Sequence, residues 1–264
     1  MTKCLQIDPE KESIRIINFI QKTLKEEGFK NVVIGLSGGV DSAVSLAFAG
    51  RSVSAKNIFV AHLYYFKSQI NFLKSFLRRI NIPQENIYNI SIKDTVDKFQ
   101  KKLGLTTNSK DYKVRLGNVM ARARMIILYD LAKKHSALVC GTENKSEFYL
   151  GYFTRFGDEA SDFEPIRHLY KTQIYQLAKH LNIPKKIIDL PPTAGLWPDQ
   201  TDETDFGFSY KEADQVLSLY LDRKKSLPEI IKMDFPNAKK ITYRVNKNSF
   251  KCSSPHVIKM PLDK

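Results

Sequence analysis

The chain has 264 residues, enough for one large α/β domain or two small ones with a buried core. Hydrophobic residues make up 42% and charged residues 27% of the chain, as in ordinary globular proteins, and no apolar run reaches the roughly 18 residues that a membrane span needs. The formal net charge of +14 favours anionic ligands such as nucleotides or nucleic acid, although lysines dispersed over solvated helices would give the same excess.

The cysteines and the N-terminus exclude further classes. Cys4, Cys140 and Cys252 lie far apart and form no C-x-x-C pair, which argues against a disulfide framework and against a zinc or iron–sulfur site. Residues 1–12 are polar and lack the apolar block of a signal peptide. We therefore expect a cytoplasmic protein with no membrane partner.

Strands and helices alternate along the predicted chain. Isoleucines at helical spacing predict a first helix over residues 10–28, and apolar runs predict four strands over 31–36, 58–63, 87–92 and 137–140. Further helices are predicted over 41–50, 69–81, 94–104, 111–135 and 171–181, with Gly50 ending the second and Gly117 interrupting the longest. Residues 151–169 and the proline-rich segment 190–200 are predicted to be irregular, and the remainder mostly helical.

This alternation predicts the α/β class, with a doubly wound parallel sheet and helices on both faces. We expect a single domain over residues 1–264, with the sheet core over about 10–210 and a helical C-terminal extension over about 211–264. In such sheets ligands bind beyond the carboxyl ends of the strands. Segments 35–42 and 141–147, which follow the first and fourth strands, are therefore the expected site.

The first of these segments, GLSGGVDS, joins a strand directly to a helix. Glycines let backbone amides turn towards a ligand, and the helix amino end adds partial positive charge, so the corner suits phosphate groups. A carboxylate at Asp41 fits this setting if Mg²⁺ lies between it and the phosphates. The lysine of a Walker loop and the G-x-G-x-x-G dinucleotide pattern are both absent. The alternative is a plain turn in which Asp41 and Ser42 cap the helix.

The strand–SGGVDS–helix segment resembles the signature of the ATP pyrophosphatase, or PP-loop, superfamily, whose fold is Rossmann-like and of the adenine nucleotide α-hydrolase type. Residues 117–125, 141–166 and 169–210 are in turn similar to the ammonia-dependent NAD synthetases. The resemblance runs from about residue 13 to about 220 and resumes at 248–251. It implies an enzyme that joins ATP, deamido-NAD and ammonia through an acyl adenylate to give NAD, AMP and pyrophosphate, and that works as a homodimer.

The same resemblance implies roles for individual residues. Asp41 and Glu147 match Mg²⁺ ligands, and Asp41 and Lys171 match catalytic positions. The ATP-binding positions are Gly35, Leu36, Ser37, Gly38, Gly39, Val40, Asp41, Ser42, Thr142, Lys171 and Thr193. The positions for deamido-NAD are Arg122, Arg155, Asp162 and Lys251. Our own hypothesis adds Asp158 as a catalytic residue that orients ammonium or takes its proton, with capping of loop amides as the alternative, and makes the irregular segment 151–169 a mobile lid.

Four departures from the family pattern leave questions open. The loop after residue 63 is short, so no adenine-contacting residue is assigned there, and Gly195 stands in place of an aspartate. Arg155 replaces the usual lysine, and Phe250 stands where many members have histidine. No glutamine-hydrolysing domain is expected before residue 13, so ammonia would be free or delivered by another protein. A tRNA-modifying PP-loop enzyme and a non-catalytic nucleotide- or RNA-binding relative are the rival hypotheses, although nucleic acid is not an expected partner.

Overall fold

Four parallel strands form the centre of the fold. The computed structural model describes residues 5–253 and residue 258, and its strands are β1 (Asn31–Gly35), β2 (Ile58–Tyr64), β3 (Ile87–Ser91) and β4 (Ala137–Cys140). Their order across the sheet is β3-β2-β1-β4, and Val33 of β1 lies between Phe59 of β2 and Val139 of β4. Each strand lies where an apolar run predicted it.

Helices cover both faces of this sheet, which confirms the predicted doubly wound α/β fold. The helices are α1 (Pro9–Glu26), α2 (Val40–Ser52), α3 (Ile70–Arg79), α4 (Lys93–Lys102), α5 (Tyr112–His135), α6 (Lys145–Leu150), α7 (Lys171–His180), α8 (Lys185–Ile188), α9 (Asp202–Phe206), α10 (Tyr210–Leu217), α11 (Leu227–Ile231) and α12 (Ala238–Asn248). Side chains of β1 alternate between two cores. Val32 and Ile34 pack with α1, α2, α3 and α7, whereas Val33 packs with α4 and α5.

Two glycines that the sequence analysis assigned to helix ends or breaks lie inside continuous helices. Gly50 is within α2, and a Cβ at this position would stand 2.5 Å from Cγ2 of Ile80. Gly117 is within α5, where a Cβ would stand 2.8 Å from Cδ1 of Leu196. The prediction was wrong at both positions because these glycines serve close packing against another segment, and tertiary packing overrides their low helix propensity.

The C-terminal part is helical, as predicted. Helices α10, α11 and α12 bury a third core that includes Val216, Ile230 and Ile241 and reaches α6 through Leu150. The boundaries proposed between a sheet core and an extension stay a prediction. Cys140 is buried, Cys252 is half-buried and both are free thiols, whereas Cys4 lies outside the described residues. Among the helices described, none is both long enough and apolar enough to cross a membrane.

Candidate active site

The loops after β1 and β4 meet because these two strands are neighbours in the sheet. The chain runs outward from β1 to β2 and β3, and then returns to place β4 on the other side of β1. This reversal is a topological switch point, where the loops beyond adjacent strands diverge and leave a crevice. The segments 35–42 and 141–147 flank that crevice, as the sequence predicted.

The glycine loop (residues 35–42) turns tightly before α2. Gly38 has a φ of +102°, a conformation that L side chains rarely adopt. Gly39 is the N-cap of α2 and its N–H donates to Oγ of Ser37 at 3.2 Å, while Oγ of Ser42 donates to the Gly39 carbonyl at 3.0 Å. Leu36 and Val40 are buried in the core. The Leu36 N–H donates to the Ala61 carbonyl at 2.9 Å, so its backbone continues the pairing of β1 with β2.

Asp41, Asn144, Glu147 and Lys171 form a hydrogen-bonded group, which we name the lysine cluster. Nζ of Lys171 donates to Oδ2 of Asp41 at 2.6 Å and to Oε1 of Glu147 at 3.0 Å. Nδ2 of Asn144 donates to the other Asp41 oxygen at 2.9 Å. Two carboxylates that the sequence analysis singled out, on α2 and α6, therefore share the ammonium group of Lys171 on α7.

Helix caps hold the cluster in place. Asn144 caps α6 by accepting from the Glu147 N–H at 3.0 Å, and Glu147 accepts from the Asn144 N–H in return, which is a capping box. Asp214 of α10 supports the start of α7, since it accepts from the Thr172 N–H at 2.8 Å and from the Ser146 hydroxyl. Lys171 is the first residue of α7, so these contacts aim its side chain at the glycine loop.

The lysine cluster carries more acid than base. Burial alone would lower the pKa of Lys171, but the carboxylates of Asp41 and Glu147 outweigh burial and hold it well above its ordinary value. Burial raises the pKa of Glu147 to about 8, since Lys171 offsets only part of the desolvation and Asp41 adds a like charge. The carboxylate of Asp202, which accepts from the Tyr210 hydroxyl at 2.9 Å, adds further negative charge nearby.

Two of the four residues proposed for the second substrate, Arg155 and Lys251, line a separate cavity. Arg122 donates to the carbonyl of Arg155 at 3.1 Å, and Arg155 donates to the carbonyl of Ser253 at 2.9 Å. Nζ of Lys251 donates to the carbonyls of Gly151 and Phe153. A cavity of about 380 Å³ is lined by Arg155, Phe156 and Lys251 together with Tyr129. Arg155 lies on the irregular segment, Lys251 lies on the C-terminal residues that contact this segment, and Arg122 reaches the segment from α5.

The remaining candidates are placed less directly. Asp162 accepts from the Val139 N–H at 2.7 Å, and Asp158 accepts from the Thr154 N–H at 2.8 Å, so both anchor the irregular segment 151–169. Thr142 is half-buried between β4 and α6 and is not the helix cap, since Asn144 takes that position. Thr193 is exposed in the loop before α9 and accepts from the Gly195 N–H, and no contact in the described part joins it to the lysine cluster.

A second acidic group, which we name the arginine cluster, consists of Glu143, Glu164 and Arg167. Glu164 accepts from the Glu143 N–H at 3.1 Å and from Arg167 at 3.1 Å, and its Oε1 would lie 2.0 Å from a Cβ on Gly141. Nη2 of Arg167 lies 3.0 Å from Oε2 of Glu143, yet in the described structure neither Glu143 oxygen has a well-aligned hydrogen bond. Burial raises the pKa of Glu164 to about 7 and that of Glu143 well above its usual value.

The comparison with known proteins decides the family. The family model described as NAD synthase matches residues 12–255, which include both clusters. The chain belongs to the NAD synthase family.

Curated relatives and solved structures that this chain resembles cover most of its length. The NH(3)-dependent NAD(+) synthetase of Chlorobaculum tepidum is 38% identical over 250 residues, which are 93% of this chain and 87% of that protein. The one of Thermococcus kodakarensis is 38% identical over 86% of this chain and 87% of its own length. The solved NMN synthetase of Francisella tularensis is 31% identical with a TM-score of 0.81, over 97% of this chain and all of that one.

A further solved structure is the NH3-dependent NAD synthetase of Campylobacter jejuni in complex with the nitrate ion. It is 32% identical with a TM-score of 0.79, over 96% of this chain and 100% of that one. These matches favour NAD synthesis and do not favour the tRNA-modifying or non-catalytic alternatives. They confirm the resemblance, the fold and the assignment to ligases that form a carbon–nitrogen bond.

Sequence reasoning missed several residues of this NAD synthase site. Asn144 had a visible signal, because Asn-x-x-Glu at the start of a helix is a capping-box pattern. Asp202 and Asp214 had none, since their partners Tyr210, Ser146 and Thr172 are identified only once the C-terminal helices pack against α6 and α7. The same holds for Glu164, which lies in the irregular segment 151–169 and accepts from the Glu143 N–H.

Proposed function

We propose that this chain is an ammonia-dependent NAD synthetase that uses ATP to convert the nicotinate carboxylate of deamido-NAD into the amide of NAD, with AMP and pyrophosphate as the other products. The observation that carries the proposal is the lysine cluster beside the glycine loop, in a chain that matches the NAD synthase model over residues 12–255. The carboxylate attacks the α-phosphate of ATP, and ammonia then attacks the activated carbonyl and displaces AMP.

The donor set of the lysine cluster fits Mg²⁺. Mg²⁺ keeps several waters and is usually held by one or two carboxylates plus substrate phosphates. Asp41 and Glu147 provide two carboxylates on one side of a crevice, and among the described residues no larger group of acidic, histidine and cysteine side chains is arranged for a metal. We propose these two as the Mg²⁺ ligands. When bound, Mg²⁺ would supply positive charge to the phosphates.

The chain's own residues would bind and orient ATP around this centre. The amides and hydroxyls of residues 35–42 would hold the phosphates, with Thr142 and Thr193 as further ATP contacts. Lys171 would leave its carboxylate partners for the pyrophosphate as negative charge develops on the leaving group, which is where an ammonium lowers the barrier. Its high pKa keeps it charged for that task.

The 380 Å³ cavity lined by Arg155 and Lys251, with Arg122 in contact with Arg155, would bind deamido-NAD. Arg122, Arg155 and Lys251 offer charge to its two phosphates, and Asp162 would orient its polar groups. Asp158 would take a proton from ammonium, because only neutral ammonia is a nucleophile. The irregular segment 151–169 would act as a lid that keeps water from the acyl adenylate.

We also propose that the protein is a cytoplasmic homodimer. Val114 and Ile126 on α5 are 54% and 57% exposed, and Ile126 lies one helical turn after Arg122. Apolar side chains beside a substrate-binding arginine fit a subunit interface that completes the dinucleotide site. Light scattering should give twice the chain mass, and Ile126→Glu should give the monomer.

The direct test is turnover of the purified chain with ATP, Mg²⁺, ammonium and deamido-NAD labelled with heavy oxygen in its nicotinate carboxylate. We expect NAD, AMP and pyrophosphate in equal amounts, and one labelled oxygen in each AMP, because the carboxylate oxygen leaves with the adenylyl group. Release of ADP, or label that stays out of AMP, would contradict the mechanism. Asp158→Asn should raise the KM for ammonium without changing the KM for ATP.

A second candidate substrate is the mononucleotide, nicotinate mononucleotide. The observation that favours it is the likeness to the solved NMN synthetase, at a TM-score of 0.81 over 97% of this chain. Both substrates carry the same reacting carboxylate, so the same site could act on either. Comparing kcat/KM for the dinucleotide and the mononucleotide in one preparation decides between them.

A further inference from the structure

His62 joins two segments at the carboxyl edge of the sheet. It lies in β2 and is only 3% exposed. Its Nδ1 is 2.8 Å from the Leu36 carbonyl, and the Gln69 N–H donates to its Nε2 at 3.0 Å. Because Nε2 accepts, the ring is neutral and its proton is on Nδ1, which donates to Leu36.

The two segments that this ring connects both border the expected nucleotide site. Leu36 is the second residue of the glycine loop, and Gln69 is the N-cap of α3. The side-chain oxygen of Gln69 lies 3.2 Å from the position that a Cβ on Gly38 would occupy, so the start of α3 touches the tightest residue of the glycine loop. Through its two nitrogens His62 therefore fixes how far the glycine loop stands from α3.

Position 62 is a buried strand position at which an apolar side chain would pack without needing hydrogen-bond partners. The other buried side chains of β2, namely Ile58, Val60, Ala61 and Leu63, are all apolar. A buried imidazole loses its water contacts, and the two backbone groups named above replace them. Burial lowers the pKa of His62 more than its bond to Leu36 raises it, and the charge of Arg124 acts in the same direction as burial.

We propose that His62 is a positioning residue for ATP, which holds the glycine loop at the distance from α3 that lets the loop amides face the phosphates. This inference rests on the proposed use of residues 35–42 for ATP. Without the ring, the Leu36 carbonyl and the Gln69 N–H lose their partners and the loop gains freedom. The effect should therefore appear in ATP binding and not in binding of the second substrate.

The test compares three variants with the wild type. His62→Leu removes both hydrogen bonds at similar volume, whereas His62→Asn keeps a donor for Leu36 alone. His135→Leu is the matched control: Nε2 of this histidine forms a hydrogen bond with the Tyr88 hydroxyl at 2.7 Å and its ring stacks on Phe59, but it ends α5 at the opposite edge of the sheet. The measurements are calorimetric binding of ATP with Mg²⁺ in the absence of a second substrate, the separate KM values, and thermal unfolding.

We expect His62→Leu to weaken ATP binding about tenfold, the size of effect that loss of one or two neutral hydrogen bonds gives. His62→Asn should fall between it and the wild type, and the KM for deamido-NAD should stay within about twofold for both. His135→Leu should lower the unfolding temperature and leave ATP affinity unchanged.

Unchanged ATP affinity in folded His62→Leu, or an equal weakening for both substrates, would overturn the role of His62. If His62→Leu does not fold, the same criteria apply to His62→Asn. A wild type that binds ATP with Mg²⁺ but makes no NAD refutes the proposed function alone, whereas one that binds no ATP refutes both.

Discussion

The lysine cluster and the arginine cluster have nearly the same composition but opposite surroundings. Each contains two carboxylates and one base, and each draws on residues 142–147. In the lysine cluster Asp41 and Glu147 keep 15% and 17% of their side chains exposed, whereas Glu143 and Glu164 keep only 5% and 8%. The carboxylates of the first group are thus more accessible than those of the second, in which Glu164 supports the backbone after β4 by accepting from the Glu143 N–H.

Hydrogen bonding separates the two clusters further. Lys171 donates hydrogen bonds to both carboxylates of its cluster, and in the proposed function these carboxylates would hold Mg²⁺ while the flexible ammonium would contact a phosphate. Arg167 donates a hydrogen bond to Glu164, whereas its contact with Glu143 is an ion pair without a well-aligned hydrogen bond. The Glu164 carboxylate fills the space beside Gly141. Acidic residues in similar numbers can therefore serve binding in one place and packing in another.

The largest expected effect is the loss of turnover in Asp41→Asn. This change removes one of two proposed metal ligands and one partner of Lys171, so kcat should fall at least about a thousandfold, as expected when charge stabilisation of a transition state is removed. Asp94→Asn is the matched control, since Asp94 also lies in the first turn of a helix but is exposed on α4. Steady-state pyrophosphate release measures both, and circular dichroism checks the fold.

Equal activity of Asp41→Asn and the wild type would remove the lysine cluster from the mechanism. An equal loss in Asp94→Asn would mean that the effect is not specific to the crevice.

The next effect concerns stability and the arginine cluster. A Cβ at Gly141 would stand 2.0 Å from Oε1 of Glu164, so Gly141→Ala should cost about 2–3 kcal/mol of unfolding free energy by overpacking. Gly104→Ala is the control: its Cβ would meet nothing within 4 Å, and only its φ of +60° opposes the change, at about 1 kcal/mol.

Denaturant unfolding of the Gly141→Ala, Glu164→Ala and double variants isolates the clash. Because Glu164→Ala empties the space that the new methyl group enters, the double variant should be less unstable than the two single changes predict together. Strict additivity would mean that Glu164 does not occupy that space.

The sequence predicted features that depend on residues close together in the chain, and did not predict contacts between distant residues. All four strands and the glycine loop follow from local patterns. Asp41, Glu147 and Lys171 were identified because the motifs that contain them resemble those of the family in order and spacing. Pairings across long separations were not predictable: Ser146 with Asp214, for example, is fixed by how α10 packs on α6. Gly50 and Gly117 gave the wrong local prediction for the same reason, because their neighbours Ile80 and Leu196 come from other segments.

The pH dependence of Mg²⁺ affinity is a smaller effect that belongs to the lysine cluster. The pKa of Glu147 is raised to about 8, so below that pH its carboxyl holds a proton that Mg²⁺ must displace. Affinity should therefore fall about tenfold for each pH unit below 8 and level off above it. Calorimetry in buffers of different ionisation enthalpy should detect about one proton released per Mg²⁺ at pH 7. Glu147→Gln should abolish this proton release, and proton release that persists in Glu147→Gln would contradict the assignment.

The smallest expected effect distinguishes Glu143 from Glu147, which are four residues apart on the same segment. Burial, followed by the charge of Glu164, raises the pKa of Glu143 well above its usual value, and the charge of Arg167 offsets only part of this effect. A glutamine has the shape of a carboxyl group without its charge, and neither Glu143 oxygen has a well-aligned hydrogen bond to lose in the described structure. Glu143→Gln should therefore change the free energy of unfolding by less than about 1 kcal/mol, whereas Glu147→Gln should remove most activity. A large stability loss in Glu143→Gln would mean that the ion pair between Glu143 and Arg167, whose atoms lie 3.0 Å apart, stabilises the fold.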